Sequence, residues 1–229
     1  MALWKLLILS LFQISVAGLI WGSILFHSAG DWYWQRGWLH MGLWIVTFMV
    51  NLTLMLTKNR KVLEARLRPA KLTETFDKII MFLFLPAMLS VPYLAGLDGA
   101  KTIGSSLASL LPIFFGVFLH TIGDTIVVWT TLVNPYLEKG VRIQDDQGHQ
   151  VVTTGPYAIV RHPMYVGLVL MFCGFPLVLG SRLAAIPVFV MAILLIVRTS
   201  YEDKFLQEGL PGYSDYSETT KFKLIPGVW

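Results

Sequence analysis

Charge is what this 229-residue chain has little of. Asp, Glu, Lys and Arg make up 14% of it, against about 25% in an ordinary globular domain. That scarcity argues against a fully solvated fold. Cysteine is nearly absent as well: a single residue, Cys173, rules out an internal disulfide and any Cys-rich metal site. No Walker or Rossmann glycine pattern occurs, and no His/carboxylate spacing forms a convincing metal motif. There is no internal repeat and no low-complexity segment.

Long apolar runs are what the chain does have. Hydrophobic residues make up 55% of it, and its mean hydropathy is +0.63. Leu6–Phe26, Trp38–Thr57 and Ile79–Leu97 carry no charge, and Leu107–Val133 carries only Asp124. Each is long enough for a hydrocarbon core of roughly 30 Å. Two more runs follow, Pro163–Ser181 and Leu183–Val197, separated by Arg182 alone. The second is short for a span, so this pair reads as a tight or tilted helical hairpin. The expectation is an all-α polytopic membrane protein of about six helices. It divides into a four-helix part, residues 1–133, and a C-terminal part, 134–229.

Sidedness tests this layout without any motif. With the N-terminus inside, fifteen of the eighteen Lys and Arg residues fall on the inner side, and only Arg36, Lys101 and Arg182 lie outside. The positive-inside rule expects such a bias, so both termini and the C-terminal loops read as cytoplasmic. The net charge of +4 then reflects topology and contact with anionic lipid rather than nucleic-acid binding. The first run exceeds a usual signal-peptide core and reads as a retained helix. Between the second and third runs, Val62, Leu63 and Leu67 have helical spacing, predicting a short amphipathic helix that Pro69 ends.

One stretch departs from this apolar background. From His149 to Gly167 the chain gathers Gly155-Pro156-Tyr157, Arg161-His162-Pro163 and Tyr165 at the entrance of the fifth run. Pro163 suits the first turn of a helix, whose free N–H groups favour an anionic ligand group. Gln147-Gly148 predicts a turn in a small extended or hairpin-like segment. Asn134-Pro135 ends the fourth helix. His162 and Tyr165 share a helical face, with Tyr157 just upstream. They read either as a ligand wall or as an interfacial aromatic belt. Arg198 and Glu202, four apart, read as a surface ion pair or as the far side of the same pocket once the hairpin closes. His120 and Asp124 are also four apart: an intramembrane functional carboxylate, or an internal Asp–His contact. His27, Asp31 and His40 read as ordinary interface residues, and Cys173 as packing.

These motifs resemble the isoprenylcysteine carboxyl methyltransferases, integral membrane enzymes related to the phospholipid methyltransferases. The likeness runs from about Asn134 to Trp229. It is carried by Gln144, His149-Gln-Val-Val, Gly155-Pro156-Tyr157, Arg161-His162-Pro163-x-Tyr165-x-Gly167, Arg198-x3-Glu202, Tyr213-x2-Tyr216 and Ile225-Pro226. The resemblance implies S-adenosylmethionine as cofactor, held by Gln144, His149, Gln150, Val151, Val152, Gly155, Tyr157, His162, Pro163, Met164, Tyr165 and Glu202. It implies that Arg198, with Glu202, serves catalysis, and that a lipophilic or amphipathic methyl acceptor, an isoprenylcysteine-type carboxylate or a related lipid, enters from the bilayer. The chain departs from the commonest pattern at Asp203, where a second Glu is usual, at Met164, and in a short Gln144–His149 interval. Two alternatives remain open at this point. One is an NADPH-dependent membrane sterol reductase, whose phosphate would need Lys139, Arg142 and Arg161. The other is a non-catalytic protein that keeps the fold.

Overall fold

The computed structural model describes residues 1–68, 74–101 and 107–229. It is all-helical, with no strand among the described residues, as the apolar runs predict for a polytopic membrane protein. In order come α1 (Leu3–Ala29), α2 (Gln35–Lys58), α3 (Arg60–Leu67), α4 (Thr75–Gly99), α5 (Leu107–Val133), α6 (Pro163–Leu179), α7 (Ala185–Gly209) and α8 (Tyr213–Thr219). Single 3₁₀ turns at Asp145–Gln147 and Gly155–Ala158 lie between α5 and α6. Among the described residues, five helices (α1, α2, α4, α5 and α7) are long and apolar enough to cross a bilayer. Phe82, Leu111 and Phe114 point outward, where acyl chains rather than water suit them.

The C-terminal hairpin differs from expectation in which arm is short. α6 has 17 residues, roughly 25 Å at 1.5 Å per residue, whereas α7 has 25. The reason lies in local sequence. No glycine or proline interrupts Val188–Glu208, so Arg198–Gly209 continues the membrane helix instead of forming a separate amphipathic tail. Asp98 of α4 holds the turn of the hairpin. Its carboxylate accepts from Arg182 N at 2.9 Å, from Leu183 N at 3.0 Å, and from the Ser181 hydroxyl.

α5 and α6 pack at unusually close range because glycines face one another. A Cβ on Gly167 would lie 2.6 Å from Gly123 O, and one on Gly174 would lie 2.5 Å from Gly116 O. With no apolar driving force against lipid, such close backbone approach is how membrane helices gain contact. The interface fixes where α6 begins, and so positions the motif.

α3 forms as predicted and buries Val62 and Leu63, the latter in a small cluster with Leu6, Leu52 and Met55. Its start is capped by Asn59, whose side chain also donates to Thr131 O at 2.9 Å. Pro69, expected to end it, lies outside the described residues. Gln147-Gly148 forms no hairpin. The 3₁₀ turn Asp145–Gln147 ends instead on Gly148 in the left-handed region, at φ 60°.

Candidate functional site

The loop from Asn134 to His162, the start of α6, the C-terminal end of α7 and α8 enclose one cleft of about 100 Å³. Every residue that the resemblance nominates lines it, apart from Gly155. Gly155 acts on the chain path. Its φ of 61° opens the 3₁₀ turn, and a Cβ there would press on Val133 at 3.1 Å and Trp129 at 3.2 Å.

Asp203 is the hub of one wall. Its carboxylate takes both arms of Arg161, at 2.7 and 3.0 Å. It also accepts from the Tyr213 hydroxyl at 3.0 Å and Gln207 Nε2 at 3.0 Å, and lies 3.2 Å from His162 Nε2. Arg161 further donates to Thr220 O and Lys221 O at 2.8 and 2.9 Å. Burial alone would lower the Arg161 pKa, and Asp203 reverses that, leaving it raised. The backbone continues the clamp: Arg161 N and His162 N donate to Phe222 O and Lys223 O. In this way the C-terminal segment is stitched to the motif. The sequence pattern had shown Asp203 only as a departure from a usual Glu.

Arg198 and Glu202 do not pair with each other. Tyr165, stacked on His162 with ring centroids 5.9 Å apart, donates its hydroxyl to Glu202. The Arg198 guanidinium lies 5.5 Å from the Tyr165 ring centroid, with Nη2 2.9 Å from Asp77 Oδ1 and donating to Lys139 O at 2.9 Å. Asp77, fully buried at the inner end of α4, also accepts Val141 N at 2.8 Å. It stands out in sequence only as a lone acid preceding an apolar run. Among the described residues Arg198 Nε has no hydrogen-bond partner.

Tyr157 closes the floor of the cleft. Its hydroxyl accepts from Asn134 Nδ2 at 2.8 Å, and its carbonyl accepts from the Tyr216 hydroxyl at 2.7 Å. Burial pushes the Tyr157 phenol up and the Tyr216 phenol to about 12, so both stay neutral. Gln144 is 2% exposed, and its side chain donates to Tyr136 O. His149 lies against Tyr136 at 4.5 Å, and its Nδ1 accepts Gln144 N. Burial, then Arg142, lowers the His149 pKa from its ordinary 6.5. Beyond it, the N–H groups of Gln150, Val151 and Val152 make no backbone hydrogen bond among the described residues. They form an open peptide edge along the cleft.

A second cavity of about 700 Å³ lies between the membrane helices. Two expectations change here. His40 is not an interface residue: it is 1% exposed, lines this chamber and packs on Phe175 at 4.8 Å. Asp124 does not meet His120. Its partner is Asn51, whose Nδ2 donates at 2.9 and 3.1 Å and which was unmarked in the sequence. His120 packs on Phe175 instead, with ring centroids 5.6 Å apart. Among the described residues no three His, Cys, Asp or Glu side chains gather as a metal-binding group.

Residues 111–211 match the family model for phospholipid methyltransferases. This bears out the resemblance and starts it earlier, inside α5, so the glycine-faced α5–α6 pair lies within the shared segment. The chain is 32% identical over 109 residues to the cobalt-zinc-cadmium resistance protein CzcN of Cupriavidus metallidurans, covering 46% of this chain and 44% of that protein. It is 30% identical over 121 residues to the nickel-cobalt-cadmium resistance protein NccN of Alcaligenes xylosoxydans xylosoxydans, covering 49% and 48%. The chain thus spans just under half the length of these curated relatives.

Proposed function

We propose that this protein is an S-adenosylmethionine-dependent membrane methyltransferase. Its cofactor cleft faces the cytoplasm, and its acceptor is a lipophilic molecule that arrives through the bilayer. The observation that carries this reading is the charge pattern of the cleft. Arg161 is answered by Asp203, Arg198 by Asp77 and Arg142 by Glu138. Among the described residues Glu202 has only the neutral Tyr165 hydroxyl as hydrogen-bond partner. An acid so placed favours a cationic ligand group, and the open peptide edge at Gln150–Val152 favours groups that pair with amides. A zwitterionic sulfonium nucleoside has both features, so the residues fit it.

When bound, S-adenosylmethionine supplies an electrophilic methyl carbon. The protein's part is alignment and exclusion of water, which dominate an in-line displacement. His162 and Tyr165 are held rigid by Asp203 and Glu202, and together they wall the cleft. Arg198, fixed by Asp77 and Lys139 O, lines the cleft beside Tyr165 and orients the acceptor. Glu202 carries the charge complementary to the donor.

An NADPH reductase is supported less well. The three cations it would need are engaged: Arg161 as above, Arg142 with Glu138 at 2.8 and 2.9 Å, and Lys139 Nζ with Arg68 O at 3.4 Å. Titration calorimetry of the full chain in detergent tests the choice. Saturable S-adenosylhomocysteine binding, weakened at least about tenfold (~1.4 kcal/mol) in Glu202→Gln, is the expected result. NADPH binding without S-adenosylhomocysteine binding overturns it.

A further inference from the structure

α3 joins the membrane surface to the cleft. Its inner face buries Val62 and Leu63. From the same helix Arg66 reaches inward: Nη2 donates to Thr131 Oγ1 at 3.1 Å and lies 3.8 Å from Sδ of Met164, a residue of the cleft. The outward face is basic. Lys58, at the end of α2, and Arg60 and Lys61 are all exposed. Among the described residues none of the three pairs with a carboxylate. Glu64, the one acid of α3, is taken by the Met1 amine at 2.8 Å. Leu6 of α1 packs in the same cluster as Leu63, which sets Lys5 and Trp4, both exposed, at this end of the bundle as well.

One of these cations touches the framework of the cleft. Lys61 Nζ lies 5.4 Å from the centroid of the Tyr136 ring. Tyr136 is the residue around which the loop closes. Its ring packs on His149 with centroids 4.5 Å apart, its hydroxyl donates to Gly148 O at 3.1 Å, and its carbonyl accepts from the Gln144 side chain. Tyr136, Gln144 and His149 all line the cleft. The positive-inside rule accounts for cations at this end of the bundle. It does not account for one seated on the ring that carries the loop. An ammonium with three N–H groups can hold a phosphate oxygen on one side and a ring face on the other.

We propose that Lys58, Arg60 and Lys61 seat the phosphate of an anionic phospholipid, and that the seated lipid steadies the Gln144–His149 loop through Lys61 and Tyr136. That this loop holds a cofactor rests on the methyl-transfer reading; the lipid seat does not. Charge complementarity selects the occupant. Cations that no acid answers, on a short helix whose apolar face is buried and whose neighbour Trp4 is exposed, suit an anionic leaflet. Each Lys or Arg near such a surface favours it by about fivefold. A cation on an exposed ring face is worth about two- to fivefold, which sets the size of the effect passed to the loop. The lipid acts here as a regulator and not as a substrate, since none of the three cations lines either cavity.

The test places the full chain in nanodiscs of phosphatidylcholine alone and of phosphatidylcholine mixed with phosphatidylglycerol, and follows amide hydrogen exchange across residues 136–152. The anionic discs are expected to slow exchange there by about threefold, and raised salt to shrink the difference. Lys61→Gln should erase it. Lys61→Arg should keep it, because arginine holds the charge and stacks on rings. Lys204→Gln, at an exposed lysine beside Glu208, should leave the difference unchanged. Equal exchange in the two discs overturns the site whether or not any variant folds, and an undiminished difference in Lys61→Gln overturns the route through Tyr136. The same slowing by inorganic phosphate in phosphatidylcholine discs overturns the lipid as its source. Calorimetry with S-adenosylhomocysteine in both discs separates the two readings. Binding about threefold tighter in the anionic discs supports both. Lipid-dependent exchange without nucleoside binding keeps the lipid seat and removes methyl transfer, whereas nucleoside binding equally tight in both discs removes the coupling between them.

Discussion

Replacing Asp203 by Asn probes what holds the cleft together. The side chain is 1% exposed and receives Arg161, Gln207 and Tyr213, with His162 beside it. The amide keeps the shape and loses the charge, so the Arg161 guanidinium, 6% exposed, is left without its anion. Breaking a buried ion pair by removing one partner costs about 3–5 kcal/mol. Arg161 keeps its bonds to Thr220 O and Lys221 O, so the lower figure applies, about 3 kcal/mol. For a chain of this length each kcal/mol moves the melting temperature by about 2–4 °C, which gives a drop of about 6–12 °C. Cys173 is the one cysteine and is partly buried, so a thiol-reactive dye reports melting directly. Asp215→Asn, an equal charge change on an exposed acid, is the control and should stay within about 0.5 kcal/mol. Arg161→Met combined with Asp203→Asn should recover part of the loss, because the stranded cation is gone. A melting temperature within about 2 °C of the unmodified protein for Asp203→Asn refutes the hub.

Further outcomes follow from the same geometry. Arg198→Ala should abolish methyl transfer in a radiolabel assay, and it should also lower the melting temperature because Asp77 is left buried alone. Arg198→Met with Asp77→Asn should restore the melting temperature but not turnover. Gly167→Val would drive side-chain atoms into Gly123 O and the Val127 backbone, costing at least about 1–3 kcal/mol. Gly42→Ala, with nothing within 4 Å of its added Cβ, should melt like the unmodified protein. His149 titrates below its ordinary 6.5 because it is buried. The unfolded loop therefore binds a proton that the folded loop refuses, and stability is present above pH 6.5 and lost as pH falls below it. S-adenosylhomocysteine affinity should weaken between pH 7.5 and 5.5, and His149→Gln should flatten that dependence.

The parts of this molecule that were legible in its sequence are those governed by local patterns. Apolar runs of membrane length placed the spanning helices, the spacing of Val62, Leu63 and Leu67 placed α3, and the turn and proline residues before Pro163 placed the start of α6. The length of α7 was misjudged because Arg198, Glu202 and Asp203 look like the end of a span. Each of these charges in fact finds a partner inside the protein, which lets the helix carry on. The close pairing of α5 and α6 was signalled by glycines seven apart in both helices, at Gly116 and Gly123 and at Gly167 and Gly174. Had that spacing been weighed as a packing seam, it would have joined α5 to the C-terminal part.

The missed residues share a different cause. Asp77 meets Val141 64 positions away, Asp98 meets Ser181 83 away and Arg66 meets Met164 98 away. No local pattern encodes such partners; they exist only once the helices have stacked. A lone acid beside an apolar run is still informative, because an ion carried toward lipid is costly unless something compensates it. Asp77, Asp98 and Asp124 each satisfy that demand within the protein, through Arg198, the α6–α7 turn and Asn51 respectively. Applied to cations, the same demand leaves Arg66 without an answering carboxylate among the described residues, where Glu202 in turn has only the Tyr165 hydroxyl as hydrogen-bond partner. An acid left to a phenol and a guanidinium left to a hydroxyl, neither in a salt bridge among the described residues, are the places where a bound ligand would complete the balance.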